Sequence, residues 1–133
     1  LILHLRPTTP FRSNSTVIKA IKLMLNNPSY SSLRTFSKSD FSPFKTWTKK
    51  NSIAKPLFRK IIKGREIHSL GRQLLPTTYK HIGYLDIINP ELTIKNKSMV
   101  GKKVCFFEID EKKEKFIDLD TYEDLKILSN LIK

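Results

Sequence analysis

The chain has 133 residues, 39% of them apolar, with 25 Lys+Arg against 12 Asp+Glu. That length excludes two domains of ordinary size, the apolar content excludes a large core, and no apolar run approaches the ~20 residues of a membrane-spanning helix. A lone cysteine, Cys105 in the run VCFFEI, excludes an intrachain disulfide and a cysteine-built zinc site, and reads as a core residue.

Charge is divided unevenly. Residues 1–82 carry 16 basic and 2 acidic side chains (Asp40 and Glu66), whereas residues 83–133 carry 9 and 10. A positive field concentrated in one part is the footprint of a polyanion partner, because each neutralised phosphate releases condensed counterions. Nucleic acid is the first reading; an anionic protein or lipid surface, or a charge that only keeps the chain soluble, are the others.

Residues 1–39 contain no acid, but hold Arg6, Arg12, Lys19, Lys22, Arg34 and Lys38 among many Ser and Thr. This is the composition of an organellar targeting segment or a basic N-terminal extension. Within it, STVIKAIKLMLNN predicts an amphipathic helix capped by Ser15 or Thr16, with Val17, Ile21, Met24 and Leu25 on one face and Lys19 and Lys22 off it. Such a helix can lie on a membrane surface or in a receptor groove. Further on, Arg34-Thr35-Phe36-Ser37 resembles the Arg-x-Phe pattern, followed by a small residue, at which mitochondrial presequences are cut. The expected location is the mitochondrial matrix, with the segment either removed or retained.

Residues 40–82 read as a basic RNA-contacting region. SDFSPFKTWTKKNS intersperses Phe41, Phe44 and Trp47 with Ser, Thr, Pro and Lys, a loop whose Trp47 either anchors it to the protein or stacks on an unpaired base. KPLFRKIIKG predicts a short helix with Pro56 in its first turn, Leu57 and Ile61 on its apolar side and Gly64 as its stop. Arg59, Lys60 and Lys63 then form a charged strip continuing into Arg65. A solvated helix face ordinarily intersperses acids among its cations, and here they are missing. Downstream, Gly64 and Gly71 bracket Arg65 and His68, and Arg72 follows. Their spacing lacks the Gly-Lys-Ser/Thr ending of a phosphate-binding loop, and His4, His68 and His81 lack ligand spacing, so neither metal nor cofactor is expected.

Residues 83–133 read as a small α+β domain. YLDII, LTI, MVGKKVCFFEID and FIDL predict three or four short antiparallel strands, the last two joined by the charged tip EKKEK. Val104, Phe106 and Glu108 fall on one side, and Cys105, Phe107 and Ile109 on the other. Asp120-Thr121-Tyr122-Glu123 starts a closing helix in which Tyr122, Leu125, Leu128, Leu131 and Ile132 recur at helical spacing to pack on the sheet. Its acids suit a helix N-terminus, and no nucleophile–base pair accompanies them, so no enzyme is expected.

The expected architecture is therefore a small antiparallel sheet with a C-terminal helix, preceded by a long basic extension with short helices. The expected function is a structural, rRNA-binding component of the mitochondrial ribosome, held by ribosomal RNA and neighbouring ribosomal proteins, with no small-molecule substrate. Phosphate neutralisation is assigned to Lys49, Lys50, Arg59, Lys60, Lys63, Arg65, Arg72 and Lys80. The alternative is an accessory subunit of a mitochondrial respiratory complex, with its N-terminal helix on lipid. An assembly factor carrying the same charges is a third possibility.

Overall fold

The run YKHIGYLDII forms the longest strand, β7 (Tyr79–Ile88), because its β-branched and aromatic residues suit a pleated interior. Everything from Ile82 to Ile88 is buried. The computed structural model describes residues 1–114 and 116–132; Lys115, in the expected charged tip, and the side chain of Ile132 lie outside the description. The chain divides into two units, residues 1–37 with 81–133, and residues 38–80.

In the first unit, a four-stranded sheet has the order β1-β7-β2-β8, with β1 at Ile2–His4, β2 at Ser32–Lys38 and β8 at Val104–Glu108. β1 pairs antiparallel with β7, His4 opposite Asp86. β8 runs parallel to β2, from Ser32 opposite Val104 to Phe36 opposite Glu108. The sheet is thus mixed, where an antiparallel one was expected.

Between β1 and β2 lies α1 (Asn14–Leu25), with Ser13 at its N-cap position in place of the expected Ser15 or Thr16. Thr16, Ala20 and Met24 are buried. Ala20 and Met24 join Leu33, Tyr84, Leu85, Ile87, Cys105 and Ile109 in the core, with Val17 and Ile21 packed against it. Leu25, expected on this face, is 63% exposed. The first 37 residues are therefore not an extension but part of the sheet and its covering helix. Arg12 is likewise committed to the fold, donating from Nε to the Tyr84 carbonyl at 2.6 Å and from Nη2 to the Arg6 carbonyl at 2.5 Å. The Arg34-Thr35-Phe36-Ser37 stretch falls inside β2, with Thr35 and Ser37 buried. A cut there would sever a strand bonded on both sides.

Two further expectations change. LTI is not a strand but lies in α2 (Pro90–Lys95), started by Pro90 in its first turn after Asn89. FIDL forms no strand, and no hairpin joins it to β8 among the described residues. β8 spends its ladder on β2 instead, and Ile109 N–H extends it by donating to the Phe36 carbonyl at 2.7 Å. Leu119 N–H turns away to the Thr8 carbonyl. Glu114, expected at a solvated tip, accepts from the Tyr84 hydroxyl at 3.0 Å and from the Thr16 hydroxyl. Burial, followed by this carboxylate, pushes the Tyr84 phenol above its ordinary range. Gly101 lets the chain enter β8 close to Ser31: its φ is +73°, and a Cβ there would stand 2.2 Å from the Ser31 Cβ.

α3 (Tyr122–Ile132) closes the unit. Its start is a reciprocal cap, in which Thr121 N–H donates to Asp124 Oδ2 at 2.8 Å and Asp124 N–H donates to Thr121 Oγ1 at 3.2 Å. Among the described side chains of the expected packing stripe only Leu128 is buried; Tyr122, Leu125 and Leu131 are exposed.

β1, β2 and β7 meet at one buried carboxylate. Asp86, 2% exposed, takes Arg34 Nη1 at 2.5 Å, His81 Nε2 at 3.1 Å and His4 Nδ1 at 3.6 Å. Removing this charge leaves a mostly buried guanidinium unmatched, so Asp86→Asn should cost about 3 kcal/mol of unfolding free energy, measured by urea titration. The Asp124 cap makes a second expectation. Hydrogen bonds from Thr121 hold its carboxyl below the usual carboxylate range. The cap therefore contributes fully above the unfolded carboxylate pKa and is lost as pH falls through the folded one. The protection factor of the Thr121 amide, its exchange relative to that of the unstructured chain at the same pH, should fall in acid, and Asp124→Asn should remove that pH dependence.

Candidate nucleic-acid interface

The second unit, residues 38–80, carries eleven basic side chains and two acidic ones. It is built from two small hairpins and three single 3-10 turns. β3 (Trp47–Lys50) pairs with β4 (Ile53–Pro56), and β5 (Ile61–Ile62) with β6 (Arg65–Glu66). The expected helix over KPLFRKIIKG is therefore absent, and Gly64 ends no helix. Lys63 and Gly64 instead form the two-residue turn of the β5–β6 hairpin, with φ of +49° and +75°. Left-handed conformation at both positions is what matches a tight turn to the twist of its strands, and β-branched Ile61 and Ile62 favour the strand before it. TWTKKNS, expected as a loop, likewise yields a strand, with the β3–β4 turn at Asn51 (φ +54°).

The turns are Pro43–Lys45, Ile67–Ser69 and Arg72–Leu74. Ile67 and Leu70 are the buried aliphatics of this unit. Around them Phe44 meets Phe58 edge to face at 5.5 Å, and Trp47 meets His68 at 4.7 Å. Trp47 is thus engaged by a neighbouring ring while remaining 48% exposed. Glu66 turns to His68, Oε2 to Nε2 at 3.2 Å, and Lys45 Nζ reaches the His68 carbonyl at 3.4 Å.

All eight residues expected to meet phosphate are exposed. Lys49 and Lys50 stand on β3, Arg59 and Lys60 before β5, Lys63 on the turn, Arg65 on β6, Arg72 on the last 3-10 turn and Lys80 on β7. Among the described residues none of the first seven forms an ion pair. The unit's two acids do not neutralise them: Glu66 faces His68, and Asp40 pairs with no described cation. Arg34 of the N-terminal segment is by contrast already held by Asp86 and, through Nη2, by the Met99 carbonyl at 3.1 Å.

Sequence reasoning missed the Asp86 cluster, whose His4, Arg34 and His81 come from three strands and share no spacing. No helix of the described residues is long and apolar enough to cross a membrane. Comparison of the chain with protein-family models and with curated proteins finds no match.

The Lys63 turn offers a clean separation of charge from folding. Asn tolerates the left-handed conformation better than Lys, so Lys63→Asn should leave the midpoint of urea unfolding unchanged or slightly raised. The same substitution should weaken binding to polyanions, read by a fluorescence-anisotropy titration with heparin.

Proposed function

We propose that this chain is a structural RNA-binding protein that lays residues 38–80 on the sugar-phosphate backbone of a folded RNA, as a component of the mitochondrial ribosome. The observation that carries this reading is the set of seven exposed cations with no acidic partner among the described residues, gathered in a unit that buries little of its own apolar surface. Their mutual repulsion is not compensated by any described acid, and phosphate would compensate it. A unit this small, with so slight a core, also gains stability from any partner that binds its folded form.

Ribosomal placement draws on this excess of cations without acidic partners among the described residues and on the absence of a nucleophile–base pair from the sequence. The mechanism is positioning: backbone contacts fix where the protein sits without reading sequence. The respiratory-subunit alternative needed the apolar face of α1 for lipid. That face is taken by the sheet, with Ala20 and Met24 in the core, and no observation now favours it.

The test is binding of the whole chain to a structured RNA across a salt series. About seven phosphate contacts predict a log–log slope of roughly −5 to −6, reduced by about 1 for each cation removed. A slope near zero overturns RNA binding. Sedimentation of organelle lysate in detergent tests the setting: the protein should travel with ribosomal subunits, and ribonuclease should release it. Migration with a respiratory complex, indifferent to ribonuclease, overturns the ribosomal placement.

A further inference from the structure

We propose that the 38–80 unit receives one unpaired RNA nucleotide, its base in an apolar pocket floored by Ile62, Leu70 and Leu74 and its phosphate in a polar cleft beside Lys38 and Arg72. The proposal rests on the RNA-binding reading above and adds a defined ligand to it. The pocket has a volume of about 340 Å³ and carries Lys63 and Arg65 on its walls. That is the lower end of the ~300–1,000 Å³ of small-ligand pockets, suited to one nucleotide and far too small for a duplex. An apolar floor with cationic walls suits a base, which offers a π face to the one and electronegative edges to the other.

The polar cleft, about 290 Å³, is lined by Lys38, Asp40, Ser42, Arg72, Thr77 and Thr78, among others. Ser42 Oγ is buried there without a hydrogen-bond partner among the described residues. Buried hydroxyls are ordinarily satisfied, and a phosphate oxygen between two cations would satisfy this one. Asp40 argues against a bare inorganic anion. Its carboxylate repels one, but accepts a hydrogen bond from a ribose hydroxyl.

Both cavities border the same 3-10 turn. Leu74 lines the apolar pocket, and Arg72, two residues earlier, lines the polar cleft. Such a turn rises about 2 Å per residue, so these two lining residues stand a few ångströms apart along the backbone, a spacing within the reach from base to phosphate of one nucleotide. A paired base is stacked and cannot enter, which makes the ligand a bulge, loop or end.

The experiment uses the whole chain and two RNA hairpins of equal length and charge at one salt concentration, one perfectly paired in its stem and one with a single bulged nucleotide. Both carry the same tightly closed loop. The bulged RNA should bind about tenfold tighter. Leu74→Trp fills the pocket from an exposed position, and Ser42→Ala removes the buried hydroxyl; each should erase most of the preference while leaving affinity for the paired stem unchanged. A photoreactive 4-thiouridine at the bulge should crosslink within residues 62–74. Equal binding of both RNAs, or a preference that survives both variants, overturns the nucleotide site and leaves backbone binding intact. Failure to bind either RNA overturns both readings.

Discussion

A carboxylate placed in the middle of an apolar strand has to be matched there, and the way Asp86 is matched organises the larger unit. Its two oxygens gather Arg34 from β2, His81 from β7 and His4 from β1. Three strands are thereby fixed to one another by directional contacts as well as by backbone ladders. A slip of one residue in β1 or β2 would turn His4 or Arg34 to the opposite face and strand the charge. The apolar pairing alone, with aliphatic side chains on both faces of β7, discriminates registers less sharply.

Two arginines of the unit built around the sheet are absorbed into the fold, Arg34 by Asp86 and Arg12 by backbone carbonyls. Burial lowers the Arg12 pKa from its ordinary value, against a smaller opposing pull from Tyr84 and Asp118. In residues 38–80 the cations expected to meet phosphate are exposed, whereas Lys45 is held by the His68 carbonyl. Short hairpins with a two-residue aliphatic centre hold such charge in fixed geometry at little cost in core, but they are weak elements by themselves. Order and charge in that unit are therefore both open to a partner.

How much of this was legible in the sequence follows from how local each signal is. α1 and α3 were readable because helical periodicity needs only neighbouring residues, and the alternation of Cys105, Phe107 and Ile109 against Val104, Phe106 and Glu108 was readable because a strand writes it directly. The partners of β8 were not: Ser32 lies 72 residues before Val104, and nothing near VCFFEI distinguishes a hairpin from a parallel ladder. KPLFRKIIKG misled because Pro56 and Gly64 punctuate a helix and a hairpin alike; only the conformation at Lys63 decides. Acid-free composition suggested a leader, yet helix α1 keeps its acids on other segments, drawing Glu114 across to Thr16. For the candidate interface, the charges were legible residue by residue, whereas the cavities beside Arg72 and Leu74 depend on a turn that no pattern announces.

β2 and β7 are neighbours in the sheet, and residues 39–78, nearly all of the basic unit, are the connection between them. Where the connection leaves and returns, Ser39 N–H donates to the Thr78 carbonyl at 2.9 Å, so its two ends are closed against each other like the stem of a loop. Such a junction gives the basic unit the form of an inserted loop. Its length and cargo can be rewritten by small in-frame events without disturbing the strands on either side, since a short turn would satisfy the same ends. A lineage could thus retune what this protein grips while inheriting the sheet unchanged.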